Sequence, residues 1–185
     1  MKILGITGSL RKHSCNRGLL VAAAEVLPPD CQLEIFDLGV LPLYNQDHES
    51  PMPSVVETFK QKIRGADALL IATPEYNYSI SGVLKNALDW GSRPYGDSAW
   101  NDKPLAIMGT SPACQGTSRA QYHLRQICVT LNMHPLNRPE LMLSYDSAMF
   151  DAEGKLVHEK TRQKLAEFLR ALVQWTHRLT TAQNG

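Results

Sequence analysis

The sequence has no Cys-x-x-Cys pair, no block of like charge, no apolar run of membrane length and neither of the two common glycine-rich phosphate loops. Each absence removes a class of function. Cys15, Cys31, Cys114 and Cys128 lie too far apart for a zinc ribbon or a thioredoxin-type motif. His13 sits close to Cys15, but no second ligand pair follows, so no metal is expected. Four cysteines suffice for two disulfides in a secreted protein, yet a domain of this size does not need them, and reduced thiols are the expectation. With 19 basic and 18 acidic residues, the net charge is +1 and the signs are interspersed, which gives nucleic acid no electrostatic footprint. A membrane span needs roughly 20 consecutive apolar residues, and no run comes near that. Met1-Lys2 leads straight into Ile3-Leu4-Gly5 without the pattern of a secretory signal, so the protein is expected in the cytoplasm.

The sequence does contain an ordinary globular composition, 43% apolar with 20% charged, at a length of 185 residues that fits one domain of the usual size. A single domain over 1–185 is expected, with 181–185 as a flexible tail. "KILGIT" reads as a buried strand that enters a loop at Gly8, and "RGLLVAAAEVL" as a helix stopped by Pro28-Pro29. "QLEIFDL" alternates as a second strand, and "SVVETFKQKIRGA" places Val55, Val56, Phe59 and Ile63 on one helical face. "ADALLIAT" is apolar almost throughout, as a strand covered on both faces should be. "GVLKNALDWG" reads as a helix, "PLAIMGT" as a fourth strand and "SRAQYHLRQICVTL" as another helix. A short fifth strand is expected between His134 and Leu143, and a last helix from about Glu159 to Leu179. Strands alternating with helices in this way imply right-handed parallel crossovers. Five of them fit an α/β, doubly wound, flavodoxin-like sheet in the order 2-1-3-4-5, with ligands bound beyond the carboxyl ends of strands 1 and 3.

Three loops leave those strand ends. Gly8 to Asn16, "GSLRKHSCN", matches neither G-x-x-x-x-G-K-[ST] nor G-x-G-x-x-G, so triphosphate hydrolysis and a Rossmann dinucleotide site both lose ground. Its hydroxyl, amide and cationic groups run into a helix N-terminus, which favours an anion such as a monophosphate. Capping of the helix by Ser14 or Asn16 accounts for the same residues equally well. In "TPEYNYSISG", Pro74 forces an extended exit, Tyr76 and Tyr78 offer flat faces, and Asn77 can meet the polar edge of a planar ring. The alternative is a surface turn that caps the helix starting near Ser81. The third loop, Gly109 to Gly116, is small and polar, and its Cys114 reads either as a nucleophile lacking a base or as a bystander thiol.

Taken in order, "GSLRKHSCNRGLL", "PEYNYSISGVLKNALDW" and "RAQYHLRQ" resemble the NADPH-dependent FMN reductase family of flavodoxin-like proteins, and among them the chromate- and quinone-reducing NAD(P)H flavoenzymes. The resemblance covers nearly the whole chain. It implies that Ser9, Arg11, Ser14, Cys15 and Asn16 hold the phosphate of FMN. Pro74, Glu75, Tyr76 and Asn77 would line the isoalloxazine, with Ser111 and Gly116 contributing from the third loop. One departure is Ser81, where the family usually has proline before the glycine, which leaves the path of that loop open.

The resemblance further implies that NADPH or NADH delivers hydride to bound FMN and leaves before an acceptor enters, a ping-pong scheme. The acceptors would be quinones, chromate, azo dyes or free flavin. No side chain is singled out as a covalent or acid–base catalyst, since the flavin carries the chemistry. A homodimer or homotetramer is implied, with residues 117–126 and 89–100 as interface elements, although Trp90 and Trp100 read equally well as core. The rival readings are a flavodoxin-type electron carrier, usually far more acidic than this chain, and a non-catalytic FMN-binding domain.

Overall fold

The computed structural model describes residues 1–145 and 148–183. In chain order the elements are β1 (Lys2–Thr7), α1 (Cys15–Val26), β2 (Gln32–Phe36), α2 (Ser54–Gly65), β3 (Ala68–Ala72), α3 (Gly82–Gly91), β4 (Pro104–Ser111), α4 (Ser118–Thr130), β5 (His134–Pro135), β6 (Leu141–Ser144) and α5 (Glu159–Gln183). The strands form one parallel sheet in the order β2-β1-β3-β4-β5, with β6 also pairing β4. This is the doubly wound, flavodoxin-like arrangement expected from the element order.

Successive side chains on a strand point to opposite faces, and the central strands use both. Leu4 and Ile6, Leu69 and Ile71, and Leu105 and Ile107 face the layer of α2, α3 and α4. Ile3, Leu70, Met108 and the small residues Ala68, Ala72 and Ala106 face α1 and α5. The helices answer with apolar stripes at helical spacing: Val56, Phe59 and Ile63 on α2, and Leu165, Phe168, Leu169 and Leu172 on α5. Trp90 and Trp100 are both fully buried, and their indole N–H groups donate to Pro42 O at 2.8 Å and Leu88 O at 2.9 Å. They are core residues of this chain. Gly91 makes room for Trp100, since a Cβ there would sit 2.4 Å from the indole nitrogen.

Two boundaries differ from expectation. The fifth strand is present in two pieces, because five residues separate Pro135 from Leu141 while only two separate their partners Leu105 and Met108 on β4. Leu136 N–H still donates to Leu105 O at 2.7 Å, and residues 137–140 then bulge out of the ladder, at a segment where Pro139 has no N–H to offer it. The last helix continues past Leu179 to Gln183. The hydroxyls of Thr180 and Thr181 donate back to Thr176 O and His177 O, so the threonines pair within the helix instead of ending it. Of the tail expected at 181–185, residues 184 and 185 lie outside the described residues.

Ser81 resolves the path left open by the missing proline. Its φ of −68° is the value a proline ring imposes, and its hydroxyl accepts the N–H of Leu84 at 3.3 Å as the N-cap of α3. Ser81→Ala should lower stability by about 1 kcal/mol through loss of the cap. Ser81→Pro loses the same bond but restricts the unfolded chain, an offset of about 0.4–1 kcal/mol. Urea melts should therefore rank parent and proline variant together, above the alanine variant.

Lys60 is the one buried cation among the described residues, with its ammonium donating to the Arg93 carbonyl and, at 2.7 Å, to Asp97. Arg64 and then Lys60 hold the Asp97 carboxyl down at about 2, below its ordinary 3.8. A depressed carboxyl contributes stability that is complete above about pH 4 and is lost as the pH falls towards 2. Asp97→Asn should cost about 1–2 kcal/mol at pH 7, less than a fully buried pair because Asp97 is half exposed. The gap between parent and variant should close in melts taken between pH 4 and pH 2.

Candidate functional site

The chain runs from β1 to α1 on one face of the sheet and from β3 to α3 on the other, so the loops at their carboxyl ends diverge and leave a cleft. Its walls are Ser9, Arg11, Ser14, Cys15, Asn16, Pro74, Glu75, Tyr76 and Ser111, joined by Thr110, Pro112 and Tyr145. The empty space between them, counted with the solvent it opens to, is about 390 Å³. A larger opening of about 670 Å³ lies near Lys2, Gln32 and Lys62, at the amino ends of β1 and β2 and so at the far end of the sheet.

The first loop starts from a close approach. A Cβ at Gly8 would sit 2.8 Å from Ser81 Oγ and 2.9 Å from Pro74, so only glycine lets the first two loops meet here. Ser14 caps α1, its Oγ accepting from the Arg17 N–H at 3.3 Å. Asn16 lines the cleft with its side chain bonded to the protein itself. Its side-chain amide donates to Thr110 O and accepts from Thr110 N–H, both at 3.0 Å, so that side chain is committed to β4 and positions the loop. The backbone N–H groups of Cys15 and Asn16 have no partner among the described residues and open the amino end of α1 to the cleft. Arg11 is exposed and pairs with no described carboxylate.

In the second loop, Tyr76 and Ser79 exchange both backbone hydrogen bonds at 3.0 Å around Asn77 and Tyr78, whose φ values are 51° and 64°. That is a two-residue hairpin turn of the type that needs positive φ at both central positions. For a bulky residue such as Tyr78 this conformation is strained. The Arg119 guanidinium lies 4.1 Å from the centroid of the Tyr78 ring and offsets part of that cost. Asn77 stands exposed at the turn, outside the cleft walls. The Glu75 carboxylate faces away towards α4, where it accepts the Ala120 N–H at 3.1 Å and pairs with Arg119 at 3.4 Å. It caps α4 from a distance, as an anion at a helix amino end should. Ser79 meets His123 Nδ1 at 2.8 Å, so Glu75, Tyr78 and Ser79 all fasten the loop to α4.

In the third loop, Ser111 Oγ accepts from the Ala113 N–H at 3.1 Å at the edge of the cleft. Gly116 turns with φ of 58°, and its α-carbon packs on β6, where a Cβ would stand 2.9 Å from the Leu143 backbone. It shapes the turn and lies outside the cleft walls. Cys114 is exposed and Cys128 is buried, with its thiol pushed up to about 12 by desolvation. All four cysteines are free.

Three cleft residues escaped the sequence analysis. Thr110 is buried and its hydroxyl has no hydrogen-bond partner. Pro112 closes one edge. Tyr145 arrives from the segment after β6, its N–H bonded to Ser111 O at 3.1 Å. Burial, with the Cys15 thiol beside it, holds the Tyr145 phenol above its ordinary range although Arg11 pulls the other way, so it remains a neutral donor at pH 7. An aromatic lying 34 residues beyond Ser111 carries no local signal of this placement; the ladder between β4 and β6 brings it there. Among the described residues no group of His, Cys, Asp and Glu is arranged to hold a metal, and no helix is long and apolar enough to cross a membrane.

The chain is 50% identical over 180 residues to an NAD(P)H-dependent FMN reductase of Pseudomonas aeruginosa, covering 97% of both chains. It is 48% identical to a 2-hydroxy-1,4-benzoquinone reductase of a Burkholderia species, covering 95% of this chain and 96% of that one. Among solved structures, the NAD(P)H:(acceptor) oxidoreductase flavoenzyme FerB of Paracoccus denitrificans superposes with a TM-score of 0.88 at 34% identity, covering 96% and 97% of the two chains. Residues 1–148 match the family described as NADPH-dependent FMN reductase. With its fold, its cleft and the run from Pro74 to Trp90 all in agreement, the chain belongs to the NADPH-dependent FMN reductase family.

Proposed function

We propose that the cleft binds FMN and that the protein, a single domain over 1–185, is an NAD(P)H-dependent reductase of quinones. The observation that carries this reading is the set of unspent donors at one end of the cleft. The N–H groups of Cys15 and Asn16, the Arg11 guanidinium and the unpartnered hydroxyl of Thr110 all belong to residues that line this cleft. An orphaned buried hydroxyl is costly unless a ligand meets it, and these groups together suit a phosphate monoester. Ser9 and Ser14 complete the phosphate end. Pro74, the Glu75 backbone and Tyr76 form a flat wall for a ring, with Ser111 and Tyr145 opposite. The fit supports FMN as the resident group.

When bound, FMN supplies hydride acceptance from a nicotinamide and delivery to an acceptor. The chain's own share is to bind and orient. Arg11 and the amino end of α1 fix the phosphate, Asn16 holds that end at β4, and Glu75 holds the ring wall against α4. Tyr145, kept neutral, offers an O–H donor. The name of the Burkholderia relative, a 2-hydroxy-1,4-benzoquinone reductase, supports quinones as acceptors, and chromate, azo dyes and free flavin fit the same open site. Separate half-reactions in one cleft make the kinetics ping-pong. Free thiols agree with a cytoplasmic setting. Tyr78, which meets Arg119 of α4, and Tyr122 of α4 are both exposed and support a homodimer or homotetramer built on α4.

A visible spectrum tests the reading directly. Protein incubated with FMN should keep the flavin through gel filtration, lose its colour anaerobically on addition of NADPH or NADH, and regain it with benzoquinone. A retained flavin that neither nicotinamide bleaches would point to an electron carrier, and no retained flavin would remove the cofactor assignment.

Two variants separate contact from positioning. Arg11→Ala should weaken FMN binding by about tenfold or more, the worth of a charge-assisted hydrogen bond, and leave the melting of the apoprotein unchanged. Asn16→Ala should lower the stability of the apoprotein itself by about 1–3 kcal/mol, because it strands the Thr110 N–H and carbonyl. Equal FMN affinity in Arg11→Ala and parent would take Arg11 out of the site.

A further inference from the structure

Beside the cleft lies a second groove of about 570 Å³, between α1 and the hairpin that joins Phe150 to Leu156. Ser14 lines both, so the two adjoin. The groove is built from a rigid contact. Gly18 and Gly154 touch so closely that a Cβ on Gly18 would stand 1.9 Å from the Gly154 carbonyl oxygen, and Gly154 itself has φ of 81°. The hairpin is closed internally, with Asp151 Oδ1 accepting the N–H groups of Glu153 and Lys155 and Asp151 N–H donating to Lys155 O. Its position against α1 therefore fixes where Lys155 stands. Gly18 and the exposed Val21 give the groove an apolar floor.

Three cations rim that floor: Lys12, Arg17 and Lys155. None pairs with a carboxylate among the described residues. Of the two acids in the lining, Glu25 is taken by Arg162 at 2.8 Å, which leaves Glu153 alone against three positive charges. An apolar strip beside a cationic rim matches a purine nucleoside carrying a dianionic monophosphate ester. On the reductase reading given above, the cleft also admits a nicotinamide dinucleotide. We infer that this groove seats the adenosine 2′-phosphate of NADPH, with the purine over Val21 and the phosphate among Lys12, Arg17 and Lys155. NADH has no such phosphate, so the three cations set the preference between the two cosubstrates. Basic residues meeting a 2′-phosphate play this part in other dinucleotide sites.

The test uses FMN-loaded full-length protein, adenosine 2′,5′-bisphosphate as the probe, and the double variant Lys12→Glu/Lys155→Glu, both positions being exposed. In the parent, the bisphosphate should bind more tightly than adenosine 5′-monophosphate and compete with NADPH. In the double variant its affinity should fall about tenfold or more, and so should the ratio of kcat/KM for NADPH to that for NADH. A ratio within twofold of the parent, or a parent that binds the two adenosine nucleotides equally, overturns the inference while bleaching of the flavin leaves the reductase reading standing. A flavin that neither cosubstrate bleaches overturns both.

Discussion

The cleft depends on one pair of hydrogen bonds. The Asn16 side chain, buried at the start of α1, joins both polar groups of the Thr110 backbone at the end of β4. β3 lies between β1 and β4 in the sheet, so the pair ties the outermost and innermost walls of the site across the strand that forms its floor. Its effect is twofold. It satisfies two backbone groups where the ladder ends, and it turns the amino end of α1, with the Cys15 and Asn16 N–H groups unspent, towards the centre of the cleft. An amide is suited to this because it can donate and accept at once. Aspartate could only accept, and serine would not span the gap with both bonds.

The opposite wall is held by a different logic. The turn at Asn77 and Tyr78 adopts left-handed backbone at both central residues without a glycine, which costs free energy unless the surroundings over-determine it. They do so through α4: Glu75 on its amino end, Arg119 over Tyr78 and His123 against Ser79. Pro74 and Tyr76 are thereby held as a rigid face, because the residues on either side of Tyr76 are anchored elsewhere. Rigid walls matter to a site whose chemistry belongs to a bound group, since the protein contributes orientation and the field around it. The polar residues of this loop thus divide into those that face the cleft and those that keep it still.

That division marks how far the sequence can be read. Strand and helix order follow from local periodicity, and the position of the cleft follows from the order, because connection handedness leaves few alternatives. The residues of Gly8 to Asn16 and Pro74 to Tyr76 could be assigned to the cleft on those grounds. Their individual duties could not. Whether Asn16 meets a ligand or a strand depends on a partner 94 residues away, and Glu75 likewise looks for its partner across 45 residues. Tyr145 and Thr110 reach the site only through the sheet ladder. The split fifth strand and the extension of α5 were hidden for the same reason. A bulge is visible only against the strand it leaves, and a threonine pair reads as a breaker until its hydroxyls are seen bonded to the helix behind them.

The positive charge around α1 follows a gradient of commitment. The N–H groups at its tip and Arg11 line the cleft, while Lys12 and Arg17, the residues directly after Arg11 and Asn16, line the neighbouring groove with Lys155. Arg11 and Lys12 lie in the loop before α1 and Arg17 in its first turn, so a single short stretch supplies residues to both spaces. The near-neutral balance of the whole chain conceals this, because the acids that offset it pair elsewhere, as Glu25 does with Arg162 and Asp97 with Lys60 and Arg64. Arg11, Lys12 and Arg17, none of them in an ion pair with a described carboxylate, follow the carboxyl end of β1, where the dipole of α1 already favours an anion. A fold that places a helix amino end at its switch point thus concentrates binding of negatively charged ligands there, and adjoining side chains decide which of them are distinguished.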